Sequence, residues 1–218
     1  MRRCRHVMLV GLALLAASAG TALAQAGGAK PATRPAAGDA RAVGAEAIAL
    51  FERVCVAALA QRQPAETVAA AELAASSRVP ADQLRVRGTV RETAAWRVQG
   101  RFGRHSVVML EPGNQCGLYT EGVDSDAFLD AMQALMLRAE AMPGWMRRGE
   151  PSRSASQRPY GMLTYLRADY TSILPMLDKP PQSGVVPLPT VTILASAASR
   201  TDGRPNTAVI TTSFEPPR

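Results

Sequence analysis

The sequence predicts an α+β domain in which an antiparallel sheet of five or six strands is packed on one face by about three helices. The expected order is α-α-β-β-β-α-β-β-β. Three observations carry this. Helical periodicity is confined to residues 44–76 and 124–142. Short β-prone runs form two groups of three, one before and one after the second helical stretch. Turn residues or an extended loop link the strands inside each group, which calls for antiparallel neighbours and not for helical crossovers.

Two segments precede that domain. Arg2, Arg3 and Arg5 form a basic start, Leu9 to Ala17 is an apolar run, and Ala22-Leu23-Ala24 is an A-x-A site. Met1 to Ala24 is therefore expected to be a secretory signal cleaved before Gln25. The alternative is an uncleaved anchor, because Val7 to Ala26 is just long enough to span a bilayer. Gln25 to Ala42 is rich in Ala, Gly and Pro and is expected to be a disordered tether, with a single domain over 43–215.

From Gly44 to Ala60, Ile48, Phe51, Cys55 and Ala58 recur at spacings of three and four, an amphipathic helix with Cys55 on its buried face. Pro64 suits the first position of a second, alanine-rich helix running to about Ser76. Residues 93–99, 104–111 and 115–120 then read as a three-stranded meander separated by Gly-Arg-Phe-Gly and Pro-Gly-Asn. Asp124 or Ser125 caps a third helix to about Met142, with Phe128, Met132 and Leu135 on its apolar stripe. Gly149 to Arg158 reads as a polar loop. Met162–Tyr170, Thr190–Ser199 and Thr207–Ser213 read as three more strands. The proline-rich Thr171 to Pro189 between the first two carries Leu174, Met176 and Leu177, an apolar loop expected to be an interaction site or a lid.

Charge and cysteine content depend on export. The formal charge of +7 falls by three to +4 when Arg2, Arg3 and Arg5 leave with the signal, so nucleic acid is not an expected partner. Of the three cysteines, Cys4 leaves as well, and Cys55 with Cys116 forms an even pair in an oxidising compartment. A disulfide between them would join the first helix to the third strand.

Catalytic readings fail mainly for want of residues. The exported chain has one histidine, His105, which excludes multi-histidine zinc sites. There is also no nucleophile elbow, no Ser-x-x-Lys and no phosphate-binding glycine loop. No cofactor is expected. His105 with Cys116 could form a nucleophile and base pair only if Cys116 were a free thiol. The alternative is a strand histidine on the solvent side of the first hairpin. Glu121, Asp124 and Asp126 could approach a calcium site, but helix capping explains them without a metal. Arg85, Arg87, Arg91, Arg97, Arg101 and Arg104 cluster with Trp96 and Phe102. Arg97, Arg101 and Arg104 are candidate anion-binding residues, the alternative being a solvated sheet edge guarded by arginines.

Leu50-Phe51-x-x-x-Cys55, the Trp96 strand and Cys116-Gly-Leu-Tyr followed by Asp-Ala-Phe-Leu, behind an export signal, resemble a group of small two-cysteine proteins exported by Gram-negative bacteria with GC-rich genomes. The resemblance covers about Val43 to Met142 and implies no activity. The expected function is a soluble, periplasmic or secreted protein that works by binding, with an envelope protein or an anionic surface component as partner. The alternative is an envelope hydrolase or transferase using carboxylates such as Glu111, Glu121 or Asp169.

Overall fold

The computed structural model describes residues 37–111, 115–138, 142–173 and 188–215. The expected signal, most of the expected tether, and Leu174, Met176 and Leu177 lie outside the described residues. Among the described residues, no helix is long and apolar enough to cross a membrane.

Helix α1 (Ala37–Phe51) passes through a π-helical turn (Glu52–Val56) into α2 (Ala57–Gln61). It starts earlier than expected, taking residues 37–42 from the tether. Asp39 lies in its first turn, where a carboxylate complements the helix dipole, and the Ala40 carbonyl accepts a hydrogen bond from the Asp124 N–H at 3.2 Å. The helix ends at Arg62, which adopts the left-handed conformation (φ 55°). Helix α3 (Ala65–Glu72) follows Pro64 as expected but stops four residues short of Ser76, because Leu73 turns extended and is buried.

Among the described residues the sheet has nine strands, more than the five or six expected. They are β1 (Val86–Arg87), β2 (Val90–Gln99), β3 (Arg104–Glu111), β4 (Gln115–Glu121), β5 (Trp145–Arg147), β6 (Ser152–Arg158), β7 (Gly161–Ser172), β8 (Thr190–Arg200) and β9 (Thr207–Glu215). The order is β1-β2-β3-β4-β9-β8-β7-β5, with β6 also on β7, and every pair is antiparallel. The expected β2-β3-β4 meander is present. A second meander, β7-β8-β9, joins it edge to edge where β9 pairs with β4. The expected polar loop over 149–158 is instead mostly the strand β6. Six of its seven residues are exposed, so no apolar alternation marks it in the sequence, and its pairing to β7 makes it a strand.

Helix α4 (Ser125–Leu137) and the α1–α2 helix pack on one face of the sheet. Alternate residues meet them there: Trp96, Val107, Leu118, Ile210, Ile193 and Leu166 are each at most 1% exposed. Tyr170 on that face donates its hydroxyl hydrogen bond to the Met136 carbonyl of α4 at 3.0 Å. Burial pushes its pKa up to about 12, against a smaller opposing effect of the Arg147 charge. Cys55 in the π-helical turn and Cys116 on β4 are joined as a disulfide with their Cα atoms 5.7 Å apart. No described α-helix covers the opposite face. Its β2–β3 part is roofed by the segment around Val79 and Leu84, which packs on Ala95, Val108 and Leu110 in a second small core.

Candidate functional site

The expected anion-binding arginines lie along the β2–β3 hairpin. Arg97 pairs in register with Ser106 and Gln99 with Arg104, so Arg97 and Arg104 lie diagonally on the face away from the helices. Arg101 is in the turn, its guanidinium 5.1 Å from the centre of the Phe102 ring. All three are exposed, and none has an ion-pair partner among the described residues. The remainder of the expected cluster divides. Arg91 is bound to Glu111 (Nη2 to Oε2 2.5 Å), whereas Arg85, whose backbone N–H donates to the Glu92 carboxylate at 3.3 Å, lines the same groove as Arg97. Trp96 is buried on the helix side, where the Arg78 guanidinium lies 5.5 Å from its ring centre.

The turn that presents Arg101 and Phe102 is fastened by a residue the sequence reading missed. Glu46 of α1 accepts hydrogen bonds from the N–H groups of Arg101 (2.7 Å), Phe102 (3.2 Å) and Gly103 (3.2 Å) and contacts His105 Nε2 at 3.0 Å. Glycine on both sides leaves room for this contact, and a side chain at either position would displace Glu46 or Val43. A Cβ on Gly100 would fall 2.2 Å from Glu46 Oε2, and one on Gly103 would fall 2.8 Å from Val43 Cγ1. Burial alone would raise the Glu46 pKa. The His105 contact and the three amides outweigh it and hold the carboxyl below its ordinary 4.5. The available signal was slight: Glu46 flanks the stripe of Val43, Ala47 and Leu50, where a charged residue reads as solvated.

His105 is not on the solvent side of the hairpin. It is 2% exposed on the helix-covered face, between Glu46 and Thr120, whose Oγ1 lies 3.0 Å from Nδ1. Residue 105 shares the parity of Val107 and Met109, and the two polar partners allow an imidazole there. The proposed pairing of His105 with a Cys116 thiolate fails because Cys116 is in the disulfide. Glu46, His105 and Thr120 are ordered like a carboxylate–imidazole–hydroxyl relay, but Thr120 is 3% exposed, so its hydroxyl is closed to a substrate.

The other acids are dispersed. Asp124 caps α4, accepting from the Ala127 N–H at 3.1 Å, and pairs with Arg41. Asp126 pairs with Arg153 at 3.1 Å. Asp169 accepts from the Thr192 hydroxyl at 2.6 Å and from Arg167. Burial would raise its pKa, but these contacts hold it below 3.8. Glu121 edges a groove of about 280 Å³ on the face away from the α-helices, shared with Arg97, Ser106 and Tyr119 over an apolar floor of Ala95 and Val108 and bordered by Val79 and Gln83 of the roofing segment. Glu111 is held by Arg91, and β9 and β8 lie between Glu121 and Asp169, a lateral offset of about 14 Å at ordinary strand spacing, with Asp169 about 20 Å farther along β7 than Leu163, which is level with Glu121. The three carboxylates named for hydrolysis therefore do not converge.

Compared with known proteins, the chain matches no family model, no curated protein sequence and no solved structure.

Proposed function

We propose that this chain is an exported, non-catalytic binding protein whose ligand is an anionic component of the bacterial envelope, taken by arginines of the β2–β3 hairpin. The observation that carries the reading is how the arginines are paired. Arg53, Arg78, Arg91, Arg138, Arg153 and Arg167 each lie against a carboxylate, and of the arginines without one among the described residues, which also include Arg62, Arg85, Arg148 and Arg158, Arg97, Arg101 and Arg104 share one hairpin. Exposed guanidinium groups held this way are ready to pair with phosphate or carboxylate, and Arg is the residue suited to bidentate contact. The signal expected over residues 1–24 and the Cys55–Cys116 disulfide support an oxidising location outside the cytoplasm.

Retention on a phosphate-bearing resin under a salt gradient tests the reading. Exposed charges are screened within about 8 Å at physiological salt, so elution should depend steeply on salt. The Arg101→Ala/Arg104→Ala double variant should elute at clearly lower salt with an unchanged melting temperature. Coincident elution of the variant and the parent would refute the role of these arginines.

A further inference from the structure

We infer that the end of the sheet carrying the β2–β3, β6–β7 and β8–β9 turns docks on an anionic lipid bilayer. This rests on the anionic-ligand reading above and names its partner. The register brings the three turns to one end. Gln99 with Arg104 closes β2–β3, Arg158 with Gly161 closes β6–β7, and Ala198 with Thr207 is the last pair before the β8–β9 turn. Glu121 opposite Thr207 joins the two halves at the same level. Neighbouring segments are tied there: the Gly122 N–H donates to the Asn206 carbonyl at 2.8 Å, and the Thr201 N–H to the Tyr160 carbonyl at 3.0 Å. From β2 to β6 the end spans six strand spacings, about 29 Å.

This end exposes two residue types together. Phe102 is 45% exposed, Tyr160 63% and Met162 38%, one large apolar group on the first tip and two at the second. Around them stand Arg101, Arg104 and Arg158, with no ion-pair partner among the described residues, while Arg200 and Arg204 share Asp202. The acids nearby are mostly engaged. Asp124 and Asp126 pair with Arg41 and Arg153, and Glu46 is turned under the first tip, which leaves Asp39 and Glu121 against the unpaired arginines. Aromatic rings flanked by arginines suit the bilayer interface, where the ring sits at headgroup depth and the guanidinium meets phosphate. A soluble polyanion would use the arginines, with Phe102 serving only to hold Arg101, and would gain nothing from Tyr160 or Met162, so the exposed apolar groups favour a bilayer. Because Glu46 already holds three amides of the first tip, Phe102 is presented with little ordering left to pay on docking.

The full chain is tested by co-sedimentation with vesicles of phosphatidylcholine alone and of phosphatidylcholine with phosphatidylglycerol, beside the resin assay. Binding should need phosphatidylglycerol and fade with salt. Phe102→Ser/Tyr160→Ser should lower vesicle partitioning about tenfold or more, and Tyr160→Ser alone, which keeps the contact between Arg101 and Phe102, should lower it while leaving resin retention and melting temperature unchanged. In Phe102→Trp, the added fluorescence should shift to the blue on vesicles and be quenched by brominated lipid, which reads this tip separately from any other apolar segment. Resin retention without vesicle binding would overturn the bilayer inference and leave the anionic-ligand reading standing. Loss of both would overturn both. Vesicle binding with no shift or quenching at position 102, or with the double variant unimpaired, would place the contact elsewhere and overturn the inference.

Discussion

Reducing the Cys55–Cys116 disulfide is the most informative perturbation of stability. The bridge closes a loop between positions 61 residues apart. In the chain-entropy model a loop of that length restricts the unfolded ensemble by about 14 cal/mol/K, or about 4 kcal/mol at room temperature. Both cysteines are 1% exposed, so replacing them by alanine also leaves small cavities, whereas reduction keeps the sulfur volume. The assay is urea unfolding followed by far-ultraviolet circular dichroism on the oxidised chain, the reduced chain and the Cys55→Ala/Cys116→Ala variant. Reduction should cost about 4 kcal/mol and raise the dependence on urea, because an uncrosslinked unfolded chain exposes more surface. The alanine variant should lie slightly lower still. Equal midpoints and slopes for the oxidised and reduced chains would refute the reasoning.

Three smaller perturbations test the ties between helices and sheet. Glu46 has a lowered pKa, so its contribution is complete above pH about 4.5 and is lost as the pH falls through its folded value. Glu46→Gln should cost about 1–3 kcal/mol at pH 7 and flatten the acid limb of a stability profile. Asp124→Ala removes the cap of α4 and should cost about 1 kcal/mol by thermal melting, whereas the exposed Asp130→Ala should cost less. Tyr170 keeps its proton to about pH 12, above its ordinary value of 10, so the stability it contributes declines as the pH rises from 10 towards 12. Tyr170→Phe should lose about 1–2 kcal/mol at neutral pH, by leaving the Met136 carbonyl without its donor, and should lack that part of the alkaline decline.

The elements readable in advance carry a one-sided pattern. The strand 104–111 was placed at its observed ends because turn residues bound it, and Cys55 and Cys116 could be matched because each sat on an element inferred independently. The strand β6, Ser-Arg-Ser-Ala-Ser-Gln-Arg, has no buried face, so side-chain periodicity has nothing to record. The β4–β9 pairing joins residues 96 apart, such as Cys116 and Thr212, and no local signal reports it. Arg97, Arg101 and Arg104 were legible as a cluster by composition. Arg158 and Tyr160 were not, because they join that end of the sheet only through the register of β7 with β8. The expectation of His105 on the solvent side fails for a physical reason: its parity with Val107 and Met109 belongs to the buried face, where a lone imidazole is costly until Glu46, fifty-nine residues upstream, supplies a partner.

The two ties of the first helix to the sheet fix more together than either does alone. Glu46 and Cys55 are nine residues apart, about 13.5 Å along a helix, with the π-helical turn at the lower point. Their partners on the sheet are His105, which lies opposite Thr120 on β4, and Cys116 itself. Thr120 and Cys116 are four residues apart, about 13 Å along a strand. The spacings match, so the helix lies along the β3–β4 pair and descends from the turn end as β3 does. A helix fastened at one point could pivot about it, whereas two fastenings at matched spacing hold its direction. The upper fastening holds the turn that carries Arg101 and Phe102, and the lower one is covalent. A covalent bond deep in the core thus helps to orient an exposed hairpin tip, because the helix that holds the β2–β3 turn is anchored at the far end of its run.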